Sequence, residues 1–459
     1  MDKVLSAIKN IHLVGIGGIG MSGLALLLKE KGFNVKGSDV EAGYITKMLA
    51  DCGIEVSIGH KKENLAKDAH LVCYSSAIKE DNPEIKEARA RGLSILQRGK
   101  LLGLISWDKK TIAVSGSHGK TTTSALIGFL LTSLGFKPTV FVGGIPLNYK
   151  YNAWWGNEYF VIEADESDGS FLYYNPWVSV ITNIDHEHLD YYKNIETLKG
   201  NFLQFAYQTR NLTIGCGDDP LVYEIIKKTK GISYGFGAHN KVRAKDFHYD
   251  GQFSCFDFFI DDKFVRQVKI PLLGRHNVLN ALAVLSFFNH LNEDTSKVVE
   301  AFKYFKGTKR RFQIKKKIGD ITFVDDYAHH PTEIDAVLKA ARYLNPKRLF
   351  VIFQPHRFSR VENLYKDFSR CFSSADELVV TDIYAASESN VKKIDAKALS
   401  KEIQNNFKGA VTHIPKEKLI SEIPLRLKEG DLVMGLGAGD INRVMDGIIN
   451  ELEASRIKA

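Results

Sequence analysis

The 459-residue chain reads as an α/β protein of three domains, each built on a mostly parallel sheet. Two observations predict this. Short β-branched runs alternate with longer helical patterns: IHLVGIG, FNVKGS, HLVCYSS, TIAVSGS, YFVIEAD, VSVITNI and LTIGCG, then ITFVDDY, RLFVIFQ, ELVVTDI and DLVMGLG. The length is also about three times what one hydrophobic core ordinarily serves. Joints fall at LISWDKK and at FKGTKRRF, which gives domains at 1–106, 107–311 and 312–459. Between about 231 and 273 the rhythm breaks into hairpin-like segments with DG and DD turns, so the middle domain carries a small antiparallel part.

Composition removes several classes of function. Hydrophobic residues make up 44% and charged residues 25%, the balance of a soluble globular protein. No apolar run approaches the roughly 18–20 residues that span a bilayer, so no membrane partner is expected. The net charge of +8 is dispersed. Its nearest approach to a patch is Lys306, Lys309, Arg310 and Arg311 with the KKK run at 315–317, which suits a small anionic ligand and not a nucleic acid. The five cysteines lack CxxC spacing, against a zinc site or disulfide framework. With an N-terminus that runs straight into a strand, the chain reads as cytoplasmic.

In chain order, the first chemistry-bearing element is GIGGIGMSG. Gly15, Gly17 and Gly20 have the GxGxxG phase of a dinucleotide fingerprint, and Asp39 ends the second strand about twenty residues on. The bare motif reads as an NAD(H) site. Yet the domain is near one mononucleotide-binding half, and the diphosphate of another nucleotide satisfies the same loop. Ser75 and Ser76, at the next strand end, suit phosphate or ribose hydroxyls, or simply cap a helix.

The second glycine-rich turn is the reactive one. In SGSHGKTTTS the backbone N–H groups around Gly116 and Gly119 close on phosphate oxygens at a helix N-terminus. Lys120 pairs with the β/γ phosphates and the Thr121 hydroxyl is placed for Mg²⁺; Thr122 and Thr123 follow. The next motif, EADESD, collects Glu163, Asp165, Glu166 and Asp168 at a strand end, where open α/β sheets bind ligands. A further strand ends in NIDHEHLD, with Asp185, His186, Glu187, His188 and Asp190. Hard oxygen donors beside a phosphate loop make a magnesium site, whereas the blander reading is that they cap the following helices. GRHNVLNALA then places Arg275, His276, Asn277 and Asn280 at a helix start, with Arg275 suited to γ-phosphate and the amides to an adenine edge.

These motifs, in this order and over essentially the whole chain, resemble the Mur ligases of peptidoglycan synthesis; GTKRRFQ, DDYAHHPTEI, FQPHRFSR, DIYAASE and GAGDI extend the likeness to the C-terminus. The resemblance implies an N-terminal Rossmann-like domain for a UDP sugar, a central P-loop-type ATPase and a C-terminal Rossmann-like domain. It is strongest to those members that join L-alanine to UDP-N-acetylmuramate, acting as ADP-forming acid–amino-acid ligases through an acyl phosphate. The alternative within the class is the recycling ligase, which attaches a whole murein tripeptide. Implied cofactors are ATP and Mg²⁺, two ions; a monomer or weak homodimer is expected.

Residue by residue, the resemblance makes Lys120 the phosphate lysine and Thr121, Glu163 and His188 the magnesium ligands. It puts Gly116, Ser117, His118, Gly119, Thr122, Arg275 and Arg310 on ATP, with Asn277 and Asn280 at the adenine and His276 beside them. Gly17, Gly18, Ile19, Gly20, Asp39, Ser75 and Ser76 hold the UDP part, and His118 with Ser167 or Asp168 lies near the muramoyl carboxylate. Asp325, Tyr327, His329, His330, His356, Arg357 and Arg360 serve the amino acid and the developing acyl phosphate, from a domain that closes and reopens. Two departures from the family pattern, Ser117 for Thr and Ala328 for Gly, remove no chemical group.

Overall fold

A computed structural model of the protein describes residues 7–187, 189–386, 388–390 and 393–458. Among them lie three sheets. The first is wholly parallel, with strands β1 (Asn10–Val14), β2 (Asn34–Asp39), β3 (Glu55–Ile58), β4 (Leu71–Tyr74) and β5 (Ser94–Gln97) in the order β3-β2-β1-β4-β5. The chain moves outward from β1 to β3 and then returns to the other side of β1. The loop after β1 therefore opens at the switch point of the sheet, where such folds bind ligands.

The second sheet contains β6 (Lys110–Ser115), β7 (Thr139–Phe141), β8 (Ala153–Trp154), β9 (Tyr159–Glu163), β10 (Val178–Ile181), β11 (Leu212–Cys216), β12 (Ile232–Gly235), β13 (Val242–Asp250), β14 (Phe253–Ile260) and β15 (Lys263–Ile270). Their order is β15-β14-β13-β12-β11-β10-β6-β9-β7-β8. β6 thus lies between β9 and β10, parallel to both, and the three C-terminal ends are neighbours. The break in rhythm read between 231 and 273 is the run β13 to β15. Its second turn is the pair Asp261 and Asp262, both at positive φ (48° and 59°), as a two-residue hairpin turn demands.

The third sheet comprises β16 (Gln313–Ile318), β17 (Ile321–Asp326), β18 (Arg348–Phe353), β19 (Glu377–Val380), β20 (Ala410–His413) and β21 (Asp431–Leu436), ordered β16-β17-β21-β18-β19-β20 with only β16 antiparallel.

By compactness the chain divides into two units: Met1–Asp246, Phe256–Val268 and Leu279–Lys306 form one, and Phe247–Cys255, Lys269–Val278 and Gly307–Ala459 the other. The first sheet and most of the second share the first unit because they share a core. The helix Ile19–Glu30, following the fingerprint loop, is buried at every position from Gly20 to Leu28. Its apolar residues join one cluster with Phe141, Ala153, Phe160, Phe171 and Phe202 of the second sheet region. A helix apolar all round needs partners on all sides. The third sheet has its own two clusters, one on each face, centred on Val351 and Phe353 and on Phe350 and Ile352.

Candidate active site

β6 is an apolar strand whose last residue, Ser115, is fully buried, and the chain then turns sharply into the helix Lys120–Ser133. The turn needs glycine at both ends. Gly116 has φ 132°, and a Cβ there would lie 2.1 Å from Thr182 Oγ1. Gly119, the residue before the helix, has φ 83°, and its Cβ would lie 2.5 Å from Asn280 Oδ1. Only glycine tolerates both the backbone and the crowding.

The loop between them is clamped by the end of β10. Ser117 N–H donates to Asn183 O at 3.0 Å, and Asp185 N–H donates to Ser117 Oγ at 2.8 Å. The His118 N–H donates to Asn183 Oδ1 at 2.8 Å, while Thr182 Oγ1 and Asn183 Nδ2 donate to His118 O at 2.6 and 3.0 Å. His118 Nε2 meets Asp185 Oδ2 at 3.0 Å, which fixes the ring's orientation. Thr182 and Asn183 carry no motif of their own. Their part follows from β10 lying beside β6, which the chain order does not reveal.

Lys120 Nζ donates to Gly116 O at 2.5 Å, to Ser117 O at 3.0 Å and to Glu166 Oε1 at 2.9 Å. Burial works against its charge, but Glu166, Asp165 and Glu163 outweigh that and hold the ammonium protonated above its ordinary range. Glu163 ends β9 and receives two bonds, from Thr121 Oγ1 at 3.0 Å and from Gly143 N–H at 2.6 Å. The Thr121–Glu163 oxygen separation suits a shared hard cation, because adjacent ligands of an octahedral Mg²⁺ with bonds of about 2.1 Å stand about 3 Å apart. His188, the third expected ligand, lies outside the described residues. In the same loop Asp165 and Asp168 accept from Ser167 N–H and Ser170 N–H, each at 3.0 Å.

At the other edge of the helix, Thr123 Oγ1 donates to Asn280 Oδ1 at 3.2 Å, which places Asn280 against the phosphate loop. Arg275, His276 and Asn277 open the helix Arg275–His290. Asn277 Nδ2 donates to Leu273 O at 2.7 Å. Burial, aided by the Arg311 charge, pushes the His276 imidazole down to about 4.

The fingerprint loop is gripped by the end of β2. Gly15 N–H and Ile16 N–H donate to Ser38 O at 2.8 and 2.9 Å, and Gly17 N–H donates to Asp39 Oδ2 at 2.7 Å. Asp39 therefore holds the loop itself. Gly18 precedes the helix that begins at Ile19, and Gly20 opens its first turn. Ser75 follows β4 directly and lies against Gly15, with Ser76 next to it. Arg98, unmarked in the sequence, starts the helix Arg98–Ser106 and reaches across to Gly20. Its guanidinium stands 3.7 Å from Asp165 Oδ2, so one arginine touches both the fingerprint loop and the carboxylate loop after β9.

In the second unit, the ends of β17, β18 and β21 gather a cationic group. Arg310 lies 3.7 Å from the buried Asp325, and its guanidinium and that of Arg311 flank the Tyr327 ring at 5.0 and 5.1 Å. His356 stacks on Tyr384 at 5.6 Å and 7°, contacts His329 edge-on at 5.8 Å, and meets Arg360 Nη1 through Nδ1 at 3.0 Å. Burial and these neighbouring cations push His356 down to about 3. His330 is the N-cap of the helix Pro331–Arg342, in a capping box with Glu333. Arg357 has φ 67°, a strained backbone for a side-chain-bearing residue, and its Nε lies 3.9 Å from Glu388. Tyr384 and Glu388 were not legible as site residues because their DIYAASE strand end carries no ligand-type spacing.

Family models match along the chain: "Mur ligase family, catalytic domain" over residues 10–110, "Mur ligase middle domain" over 114–288, and "Mur ligase, glutamate ligase domain" over 310–439. The chain belongs to the Mur ligase family. Among its relatives, a protein of Aquifex aeolicus named UDP-N-acetylmuramate–L-alanine ligase is 41% identical over 461 residues, covering 98% of this chain and 99% of that one. A protein of the same name from Carboxydothermus hydrogenoformans is 40% identical over 439 residues, 95% of each chain. The crystal structure of UDP-N-acetylmuramate-alanine ligase MurC from Thermotoga maritima superposes with a TM-score of 0.86 at 31% identity, covering 98% of this chain and all of that one. Among the described residues, no helix is long and apolar enough to cross a membrane.

Proposed function

We propose that the chain joins L-alanine to UDP-N-acetylmuramate in an ATP- and Mg²⁺-dependent, ADP-forming reaction that supplies peptidoglycan precursors. The observation that carries this reading is the meeting of Lys120, Thr121, Glu163 and the His118–Asp185 pair on three adjacent strand ends. The names of relatives alike over nearly the whole chain supply the substrate pair. In this reading the three domains are those at 1–106, 107–311 and 312–459.

The muramoyl carboxylate attacks the γ-phosphorus of ATP, the bond to the β-bridging oxygen breaks, and ADP leaves. The alanine amine then attacks the acyl carbonyl, loses a proton, and expels inorganic phosphate. Such chemistry asks for positioning and charge neutralisation more than for covalent help. Lys120 neutralises the transferring phosphate, and the N–H groups of the glycines at the two ends of the turn cradle its oxygens, those of Ser117 and His118 being committed to Asn183, with Thr122 in the first turn behind. Thr121 and Glu163, with His188, would hold Mg²⁺, which supplies Lewis-acid charge when bound; the reading calls for two ions. His118, oriented by Asp185, together with Ser167 or Asp168, faces the muramoyl carboxylate. Asn277 and Asn280 take the adenine, with Arg275, His276 and Arg310 also on ATP. The first loop, from Gly17 to Gly20, with Asp39, Ser75 and Ser76, takes the UDP. The group Asp325, Tyr327, His329, His330, His356, Arg357 and Arg360 takes the alanine carboxylate and stabilises the acyl phosphate.

Trapping tests the mechanism directly. With UDP-N-acetylmuramate, ATP, Mg²⁺ and hydroxylamine but no amino acid, the muramoyl hydroxamate should accumulate together with phosphate. Phosphate release without hydroxamate would contradict an acyl phosphate.

A further inference from the structure

Behind the fingerprint loop lies a buried polar cluster around one carboxylate that the reaction does not use. Glu84 is completely buried and sits in the first turn of the helix Pro83–Ala90, capped by Asn82, where the helix N-terminus favours an anion. Its carboxylate accepts from His12 Nε2 at 2.8 Å, Ser38 Oγ at 2.6 Å, Asn64 Nδ2 at 2.7 Å and Lys61 N–H at 3.2 Å, with His60 Nδ1 at 3.4 Å. Burial alone would lift this carboxyl, but the bonds from His12, Ser38 and Asn64 overcome it and draw it down to about 2. The group is therefore an anion at every ordinary pH.

One carboxylate thus ties together β1, β2, the 60–64 segment and a helix. A buried carboxylate is a poor source of stability compared with apolar packing, so its use here points to geometry. The element it fixes is the end of β2. Ser38 gives its hydroxyl to Glu84 and its carbonyl to the N–H groups of Gly15 and Ile16, while the next residue, Asp39, accepts from Gly17. Three successive N–H groups of the nucleotide loop are thereby set from one buried anchor.

We propose that Glu84 is a positioning residue for the UDP-sugar substrate, acting through Ser38 to hold the loop from Gly15 to Gly17 in its binding geometry. This rests on the assignment of UDP-N-acetylmuramate to that loop. In Glu84→Gln a single acceptor oxygen replaces two, so the amide NH₂ must face either Asn64 and the Lys61 N–H or His12 and Ser38, and the anchor on β2 weakens. Ser38→Ala removes the same relay while leaving the anion and its other partners in place.

The test measures kcat and both nucleotide KM values in the full chain, with calorimetric binding of UDP-N-acetylmuramate alone. The expected result is a KM for the UDP sugar raised about tenfold or more in Glu84→Gln and several-fold in Ser38→Ala. In both variants kcat and the KM for ATP stay within about twofold, and the double variant is no worse than Glu84→Gln. If Glu84→Gln does not fold, Ser38→Ala alone decides. An unchanged UDP-sugar KM in a folded variant, or KM values for both nucleotides rising together, would overturn the inference. Absence of UDP-N-acetylmuramate binding by the unmodified chain would instead overturn the functional reading on which it rests.

Discussion

Lys120 owes its charge to its neighbours. Three carboxylates surround an otherwise desolvated ammonium, so it remains a cation whose bonds to Gly116 O and Glu166 can be exchanged for phosphate oxygens. Lys120→Ala should lower ligation by about a thousandfold or more, in the range seen when a phosphate-stabilising cation is removed. UDP-sugar binding, measured by calorimetry, should persist because the first loop does not touch Lys120; near-full activity would refute the mechanism. Thr121→Val, which deletes the hydroxyl beside Glu163 and keeps the shape, should weaken the apparent Mg²⁺ requirement constant by about tenfold. A magnesium titration of initial rates checks it, and an unchanged titration would remove Thr121 from the metal site.

At the scale of elements, the phosphate loop works because a strand, a turn and a helix meet with no space for a side chain at Gly119. Gly119→Ala forces a left-handed alanine, costing about 1–2 kcal/mol, and pushes a methyl into Asn280. The expected result is a lower urea midpoint with a KM for ATP raised about tenfold; unchanged values would mean that the loop is not held as described. What was legible in advance follows the same logic. The long apolar runs before SGSHGKTTT, EADESD and NIDHEHLD announced β6, β9 and β10, since buried parallel strands read as continuous hydrophobic runs. The two-residue β8, the three-residue β7 and the lysine-rich edge strand β16, QIKKKI, lack that signature and were passed over. The adjacency of β10 to β6 was also hidden, and with it the hold of Thr182 and Asn183 on the loop. Arg98 carries no signal in the sequence, since a single arginine at a helix start looks like any other.

For the whole molecule, an acid challenge should act on the second unit through two histidines. In the second unit, His276 and His356 are held neutral, down to about 4 and about 3. The unfolded chain takes up their protons near its ordinary value of about 6.5, so their stabilising contribution is full above that pH and is lost as pH falls toward 4 and 3. Urea midpoints of that unit should be flat above pH 7 and decline between about 6.5 and 4, less steeply in His356→Gln; an equal decline in the variant would show that His356 does not contribute. The helix Ile19–Glu30, which follows the first strand of the first sheet, packs into one apolar cluster with residues of the second sheet. The first sheet and the part of the second that shares its unit should therefore melt as one transition.

L-alanine is the amine that the chain joins to UDP-N-acetylmuramate. The most direct test is to measure phosphate release and amide product with UDP-N-acetylmuramate and ATP, comparing L-alanine with the free murein tripeptide. Turnover that depends on L-alanine and yields UDP-N-acetylmuramoyl-L-alanine is the predicted result. Preference for the tripeptide, or phosphate release indifferent to either amine, would contradict it.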